Sequence, residues 1–522
     1  FFSSRRRHTR YGTVTGVQTC ALPIWTYLID SNIQHADFKY LIDLFGLENK
    51  EINGLEGILS ADLKLEFNNE ALITAEADIK ASGQIKNNNH FSDSMAFSEA
   101  KANVRLEERT SSIHVSDASA NIDGAIIQGE GQITLTADGK ISELAGTLAA
   151  GSFPIEQLTK LWPQHLSPGG RIWVRDNLSI GSVKEAKLLF KKALNENIKV
   201  SGSFAAEGLT VQYWRPMPSA TKVTGSGKLS GDNLEIEITQ AFSGGMSSDN
   251  ISLRLTELAT SARAISIDAA IVGPVSNLLN ALEAEPLRYP SRIGINSTNT
   301  RGTIDGHLNL SFPLAQNLTP NDFNFSAGGR VTNGLFPGAI NSWDIATNVM
   351  NVAVDKNQLQ LDGEGELLDA PINFKGQLTF GAAKEPSRFK GIWALNEKAR
   401  NYLFPSLNDL EERVKGIVPV RFDITARRNN TVEVLVDSDL KNAEVSIHEL
   451  GWFKPRDIFG NLSARLNIQN NKLQNIDQIK LASPDIECEA VLEFDESSNS
   501  LRDAKIHKLF GLGHDLKADL HV

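Results

Sequence analysis

The sequence predicts a mainly β protein made of antiparallel strands: either a long, coiled sheet forming an elongated hydrophobic gutter with a few short helices, or stacked β-sandwiches. Three observations predict it. Apolar residues recur with a period of two over most of the chain, which places them on one face of a strand and the polar residues on the other. One wet and one dry face marks antiparallel sheet, because parallel strands covered on both sides read as unbroken apolar runs. Helical signals are few and short, too short for a crossover architecture.

Taken in chain order, the alternation begins at Leu59, Ala61, Leu63, Leu65 and Phe67, and continues in Ile73, Ala75, Ala77, Ile79 and Ala81 against Thr74, Glu76, Asp78 and Lys80. It returns in Ala102, Val104 and Leu106; in Leu234, Ile236 and Ile238; in Ile251, Leu253 and Leu255; and in Ile265, Ile267, Ala269 and Ile271. Further on come Ile304, Leu308, Leu310 and Phe312; Ile372, Phe374, Leu378 and Phe380; and Val432, Val434 and Val436. Leu462 to Ile468, Ile486 to Phe494 and Leu516 to Val522 close the series. Gly231-Asp232-Asn233 and Asp138-Gly139 read as hairpin turns. Pro154 opens a helix over Ile155–Leu161, Ser167 and Pro168 open one reaching about Leu178, Pro274 opens Val275–Glu285, and Glu397–Leu403 stops before Pro405.

Composition narrows the function classes. Residues 1–24 back-translate, over Val14 to Ile24, into a common sequencing-adapter oligonucleotide, so they are read as an artefact and Arg5, Arg6, Arg7 and Arg10 as no basic patch. Without those four, 48 Lys+Arg face 63 Asp+Glu, a formal charge of −15. An acidic surface disfavours nucleic acid, whose binding depends on neutralising phosphates. Cys488 is the one cysteine outside the artefact and lies at an apolar strand position, so disulfides and thiolate metal sites are excluded within one chain. No stretch reaches the ~18 apolar residues of a membrane-spanning helix.

Enzyme signatures are missing as well. There is no Gly-x-Ser-x-Gly elbow, no His-Glu-x-x-His, no Walker loop and no Cys-x-x-Cys. Ser98-Glu99-Ala100-Lys101 has the Ser-x-x-Lys form, but a regular strand points Ser98 and Lys101 to opposite faces. The expectation is a non-enzymatic protein with no catalytic residue, no metal and no cofactor.

One segment, Phe153–Phe190, carries a resemblance. Leu161-Trp162-Pro163 is followed by Pro168-Gly169-Gly170-Arg171-Ile172-Trp173-Val174-Arg175-Asp176-Asn177-Leu178 and by Gly181-Ser182-Val183-Lys184-Glu185-Ala186-Lys187-Leu188. This order resembles the large AsmA-like envelope proteins of the YhdP type, within the AsmA/TamB superfamily of bridge-like lipid-transfer proteins. Phe204 to Trp214, Ser243-Gly244-Gly245-Met246, Gly273-Pro274-Val275, Ser311-Phe312-Pro313-Leu314 and Leu450 to Pro455 extend it, so it covers about Leu55 to the C-terminus.

The resemblance implies the gutter rather than sandwiches, and with it non-enzymatic intermembrane phospholipid transport across the periplasm in support of the outer-membrane barrier. It implies an inner-membrane anchor in an N-terminal helix missing from this fragment, and contacts with the inner and outer membranes at the ends of the intact protein. The expected organisation is an artefact over 1–24, a partial lead-in over 25–54, a central β-gutter region over 55–330 and a continuing one over 331–522. The runner-up function is an envelope scaffold or outer-membrane-protein assembly factor that uses exposed strand edges. The cargo contacts would be acyl chains against Ile73, Ala75, Ala77, Ile79, Val104, Leu106, Leu234, Ile236, Ile238, Ile265, Ile267, Leu308, Leu310, Phe374, Leu378, Val432 and Val434. Trp162, Pro163, Pro168, Gly169, Arg171, Trp173 and Asn177 are expected to be structural: Trp162 and Trp173 wedging the helix against the sheet, Asn177 closing its end.

Overall fold

The structure is a computed structural model that describes residues 26–40, 54–68, 71–88, 90–136, 140–215, 217–284, 288–292, 295–315, 318–340, 343–380, 385–403, 410–448, 451–495, 501–511 and 514–516. The Asp138-Gly139 turn and most of the strand expected at Leu516 to Val522 lie outside the described residues.

Alternation in sequence becomes alternation in exposure. In Asn233–Ser243 the residues Leu234, Ile236 and Ile238 are half-buried while Glu235 and Glu237 between them are exposed. Among the described residues the strands form a 29-stranded antiparallel sheet, and a second, three-stranded sheet joins Val414–Lys415, Glu444–Ile447 and Trp452–Lys454. No sandwich of two facing sheets is built from these strands.

The chain divides into two compact units. The first runs through Ser243 and includes Ser248–Ser266 and Pro313–Asn317; the second holds Gly244–Ser247, Ile267–Phe312 and Leu318–Val522. In the first unit each long strand pairs with the next in chain order, from Thr26–Asp37 and Leu55–Asn68 to Asn233–Ser243 and Ile251–Thr256. The second unit repeats the meander from Arg301–Pro313 to Leu501–Gly511. Ser230 faces Asn233 across the two-residue turn Gly231-Asp232, where Gly231 supplies the left-handed φ of +59° that hairpin turns require.

Within each unit the two ends of the strands differ. The helices are inserted at one end of them. In the first unit the strand ending at Phe153–Pro154 leads into α1 (Ile155–Leu161) and α2 (Pro168–Asn177), after which Val183 pairs back with Phe153. In the second unit Pro274 leads into α3 (Val275–Glu283), and Leu395 leads into α4 (Glu397–Leu403) with Val418 pairing back to Leu395. Each helical insert leaves through a glycine at positive φ: Gly181 at +93°, Gly302 at +111° and Gly416 at +96°. Each then delivers a buried branched residue, Val183, Ile304 or Val418. This is a repeated strand, helix, glycine, strand module. Its spacing is uneven, which hides it in the sequence.

The buried side chains collect where those helices meet the sheet. Ile155 of α1 joins Phe153, Val183, Ala206, Leu209 and Val223. Val275 of α3 joins Ile304, Val331, Phe336 and Met350. Ala399 of α4 joins Ala370, Leu395, Val418 and Leu440.

Candidate functional site

Away from the helices, the dry face of each unit is a continuous apolar surface that stays partly open. Cross-strand register shows the continuity. In the first unit Leu63 faces Ala77, Ala77 faces Val104, Val104 faces Val115, and the row passes through Gly131 and Gly146 to Phe190. A second row runs Gly129, Leu148, Leu188, Gly202, Leu229, Leu234, Leu255. A third joins Ala186, Phe204, Gly227, Ile236 and Leu253.

In the second unit one row connects Ile304, Val331, Met350, Gly363, Phe374, Gly391, Phe422, Val436 and Ala464. Its middle part, Gly363, Phe374, Gly391, Phe422 and Val436, borders a cleft of about 510 Å³.

Exposure separates this face from a closed core. Core side chains covered by a second layer are almost fully buried. Here Leu63, Ala77, Val104, Val115, Leu234 and Ile236 are only half-buried, and Leu148 and Leu188 keep 42% and 38% of their surface.

The opposite face is mostly polar, with charged pairs across strands, though Leu189, Ile392 and Leu435 are exposed on it. Arg254 bridges to Glu235 at 3.2 Å, Lys375 to Asp362 at 3.1 Å and Arg421 to Asp437 at 3.0 Å. These pairs are solvent-exposed, so each is worth about 0–1 kcal/mol and helps hold register more than stability.

The lining residues named from sequence fall as follows. Ala75, Ala77 and Ile79 face Leu106, Val104 and Ala102 on the dry side. Leu234, Ile236 and Ile238 face Leu255, Leu253 and Ile251. Leu308 and Leu310 face Ala327 and Phe325, Leu378 faces Leu359, and Val432 and Val434 face Ile468 and Leu466. Ile265 and Ile267 are half-buried in Ala264–Pro274, which carries the division between the units. Ile73 differs: the register slips between Glu66 and Phe67, which face Thr74 and Leu72, so Ile73 is the extra residue of a bulge.

Ser98 and Lys101 need correction too. A bulge with Glu99 at φ +52° inserts a residue between them, so both are exposed on the wet face rather than on opposite faces.

Sequence reading missed how large side chains lie on this floor. Phe190 faces Gly146 and Phe204 faces Gly227. A Cβ on Gly146 would stand 2.5 Å from Cζ of Phe190, and one on Gly227 2.3 Å from Cζ of Phe204. In the second unit a Cβ on Gly376 would stand 2.1 Å from Cδ1 of Phe389, and one on Gly391 2.8 Å from Cζ of Phe422, again across the ladder. Each ring occupies the place of its neighbour's missing side chain. Strand periodicity cannot signal this, because the pairing is between strands.

The signature residues of Phe153–Phe190 assemble the α1–α2 insert. Arg171 donates from Nε to the Thr159 and Trp162 carbonyls at 3.2 Å, and from Nη2 to Thr159 O at 2.9 Å and Ser92 Oγ at 2.7 Å. It thus satisfies the last carbonyls of α1, as a cation at a helix C-terminus does. Trp162 is half-buried and donates from Nε1 to Leu166 O at 2.6 Å, while Pro163 O accepts from Leu166 N. Pro168 occupies the first turn of α2, and Gly169 is exposed with open space around it. Asn177 donates to Trp173 O at 2.9 Å, closing α2 as expected. Trp173 is not a wedge: the residue is 46% exposed, and α2 has no buried residue of its own.

In the second unit sequence reading passed over Arg400, a residue of α4 that ties the strand before the helix to the segment that leaves the insert. Arg400 is buried and donates to Leu395 O at 2.9 Å, Gly416 O at 2.6 Å and Val414 O at 2.7 Å. Cys488 sits half-buried in the dry row between Leu481 and Leu509, where burial pushes its thiol above the ordinary value. Among the described residues no group of His, Cys, Asp and Glu has the arrangement of a metal site, and no helix is long and apolar enough to cross a membrane.

Comparison with known families decides the identity. The sequence matches the YhdP protein family over residues 30–494. The chain belongs to the YhdP family. It is therefore an AsmA-like envelope protein, in agreement with the resemblance carried by Leu161-Trp162-Pro163 and its neighbours. Comparison with curated proteins and with solved structures finds no match.

Proposed function

We propose that this YhdP-family chain carries phospholipid between membranes, holding the acyl chains against the dry face of its sheet while the headgroup stays in water. The reading is non-enzymatic and needs no cofactor. Its setting is the periplasm, between an inner membrane that anchors the protein and an outer membrane that receives or returns lipid.

One observation supports it above the others: the apolar rows pass from strand to strand without a polar interruption, yet their side chains are only half-buried. Such a surface is costly in water unless something covers it intermittently. Acyl chains suit it. Exposing two chains of about sixteen carbons costs on the order of 25 kcal/mol at ~0.8 kcal/mol per CH₂, and a floor of Leu, Ile, Val, Ala and Phe removes that cost without demanding a specific headgroup.

Photo-crosslinking residues test this. At Ile236, Ile267 and Leu310 they should capture phospholipid in cells, and at Glu235, Asp268 and Asn309 on the wet face they should not. Equal capture on both faces would mean ordinary surface association and would remove the conduit. Capture of unfolded outer-membrane protein in place of lipid would favour the assembly-factor reading instead.

A further inference from the structure

Four of the phenylalanines on the dry face share one geometry. In the first unit Phe190 and Phe204 lie over Gly146 and Gly227. In the second unit Phe389 and Phe422 lie over Gly376 and Gly391. A strand side chain ordinarily stands roughly perpendicular to its sheet. Here a Cβ on the facing glycine would come within 2.1–2.8 Å of a ring carbon, so each ring leans across the ladder into the neighbouring strand's place. Strands are ~4.8 Å apart, enough for a leaning phenyl to cover one neighbour's backbone. Ring and glycine together therefore make a low, apolar tile.

We propose that these glycine and phenylalanine pairs set the free height above the dry face, and with it how many acyl chains the protein holds. Glycine is what lets the ring lie down. Any larger residue there would lift the ring into the space above the sheet, since its Cβ would overlap ring carbons and neither strand backbone can retreat without breaking the ladder. The inference rests on the lipid-carrying reading and adds the residues that determine its capacity. In a closed hydrophobic core the same contact would fill space; on a half-exposed face it clears space.

The test uses the full chain and phosphatidylethanolamine bearing a fluorescent acyl chain, loaded from detergent and counted per protein after gel filtration. Gly227→Ala and Gly376→Ala should each reduce the lipid carried, together by roughly two-fold. Adding Phe204→Ala to Gly227→Ala should restore it. Gly328→Ala is the control: it lies on the wet side of its strand, where an added Cβ would meet only Val352 O at 3.4 Å, and loading should not change. Full loading by a folded Gly227→Ala, Gly376→Ala double variant overturns the inference and leaves the lipid reading intact. If that variant does not fold, Phe204→Ala alone decides: a higher load than the unaltered chain supports the tiles, and an equal load overturns them. An unaltered chain that takes up no probe overturns the lipid reading itself.

Discussion

Replacing Ile236 by aspartate separates an open apolar face from a closed core, because the two make different energetic demands on the new carboxylate. Ile236 is half-buried and faces Gly227 and Leu253. Burying an isoleucine fully is worth about 1.5–3 kcal/mol, so losing half of that with up to ~1 kcal/mol of strand preference predicts a cost of about 1–2.5 kcal/mol. At about 2–4 °C per kcal/mol for a unit of a few hundred residues, the melting temperature should fall by roughly 2–10 °C, with the fold intact and lipid loading lost.

Val183→Asp is the comparison within the same unit. Val183 is only 4% exposed, packed in the cluster that holds Phe153, Ile155 and Ala206. A carboxylate there has no water and costs several kcal/mol beyond the lost packing, so the first unit should lose its cooperative transition. Thermal melts followed by tryptophan fluorescence give both values. If Ile236→Asp proves as damaging as Val183→Asp, the dry face is a closed core and the reasoning fails.

Three further outcomes follow from the inserts and the lone thiol. Arg171→Lys should cost about 1–2 kcal/mol, because a point charge cannot reproduce the fork onto Thr159 O, Trp162 O and Ser92 Oγ; hydrogen exchange over residues 155–177 should accelerate, and unchanged exchange would count against the capping role. Gly181→Ala should cost at least about 1–3 kcal/mol, since φ is +93° and a Cβ would stand 2.6 Å from Glu207 O, while Gly231→Ala, with open space around it, should cost about 1 kcal/mol or less; chemical denaturation reads both. The raised thiol of Cys488 favours its neutral form in the folded state, so its contribution is full below the unfolded thiol value and is lost as pH rises through the folded one. Cys488→Ala should therefore flatten the fall in melting temperature between neutral and alkaline pH, and an identical slope in both chains would contradict this.

Much of the fold was legible because strand periodicity is local. Leu234, Ile236 and Ile238 declare a strand, Gly231-Asp232 declares its turn, and Pro154, Pro168 and Pro274 mark the first turns of α1, α2 and α3. Whether the dry face is open or covered was not legible from alternation, which is the same for both; it took the family pattern around Trp162, and then the half-exposure of Leu148 and Leu188. Local reading failed where an extra residue enters a strand. The bulge at Glu99 turns Lys101 to the face of Ser98, and the one at Ile73 removes that residue from its register. Nor does composition announce that Trp173 stays in solvent, since a tryptophan in a helix is usually a packing residue. The glycine and phenylalanine pairs depend on register between strands, so Gly227 alone reads as a weakness in a strand until Phe204 is placed above it.

The central claim is that the dry face holds acyl chains rather than protein. A cryo-electron microscopy map of the chain purified without stripping its native lipid tests this most directly. The account predicts rod-like density unassigned to protein, running across Leu188, Gly202 and Leu234 in the first unit and across Phe374, Phe422 and Val436 in the second. Those same rows sealed under a second layer of protein, or left bare in a map that resolves their side chains, would contradict it.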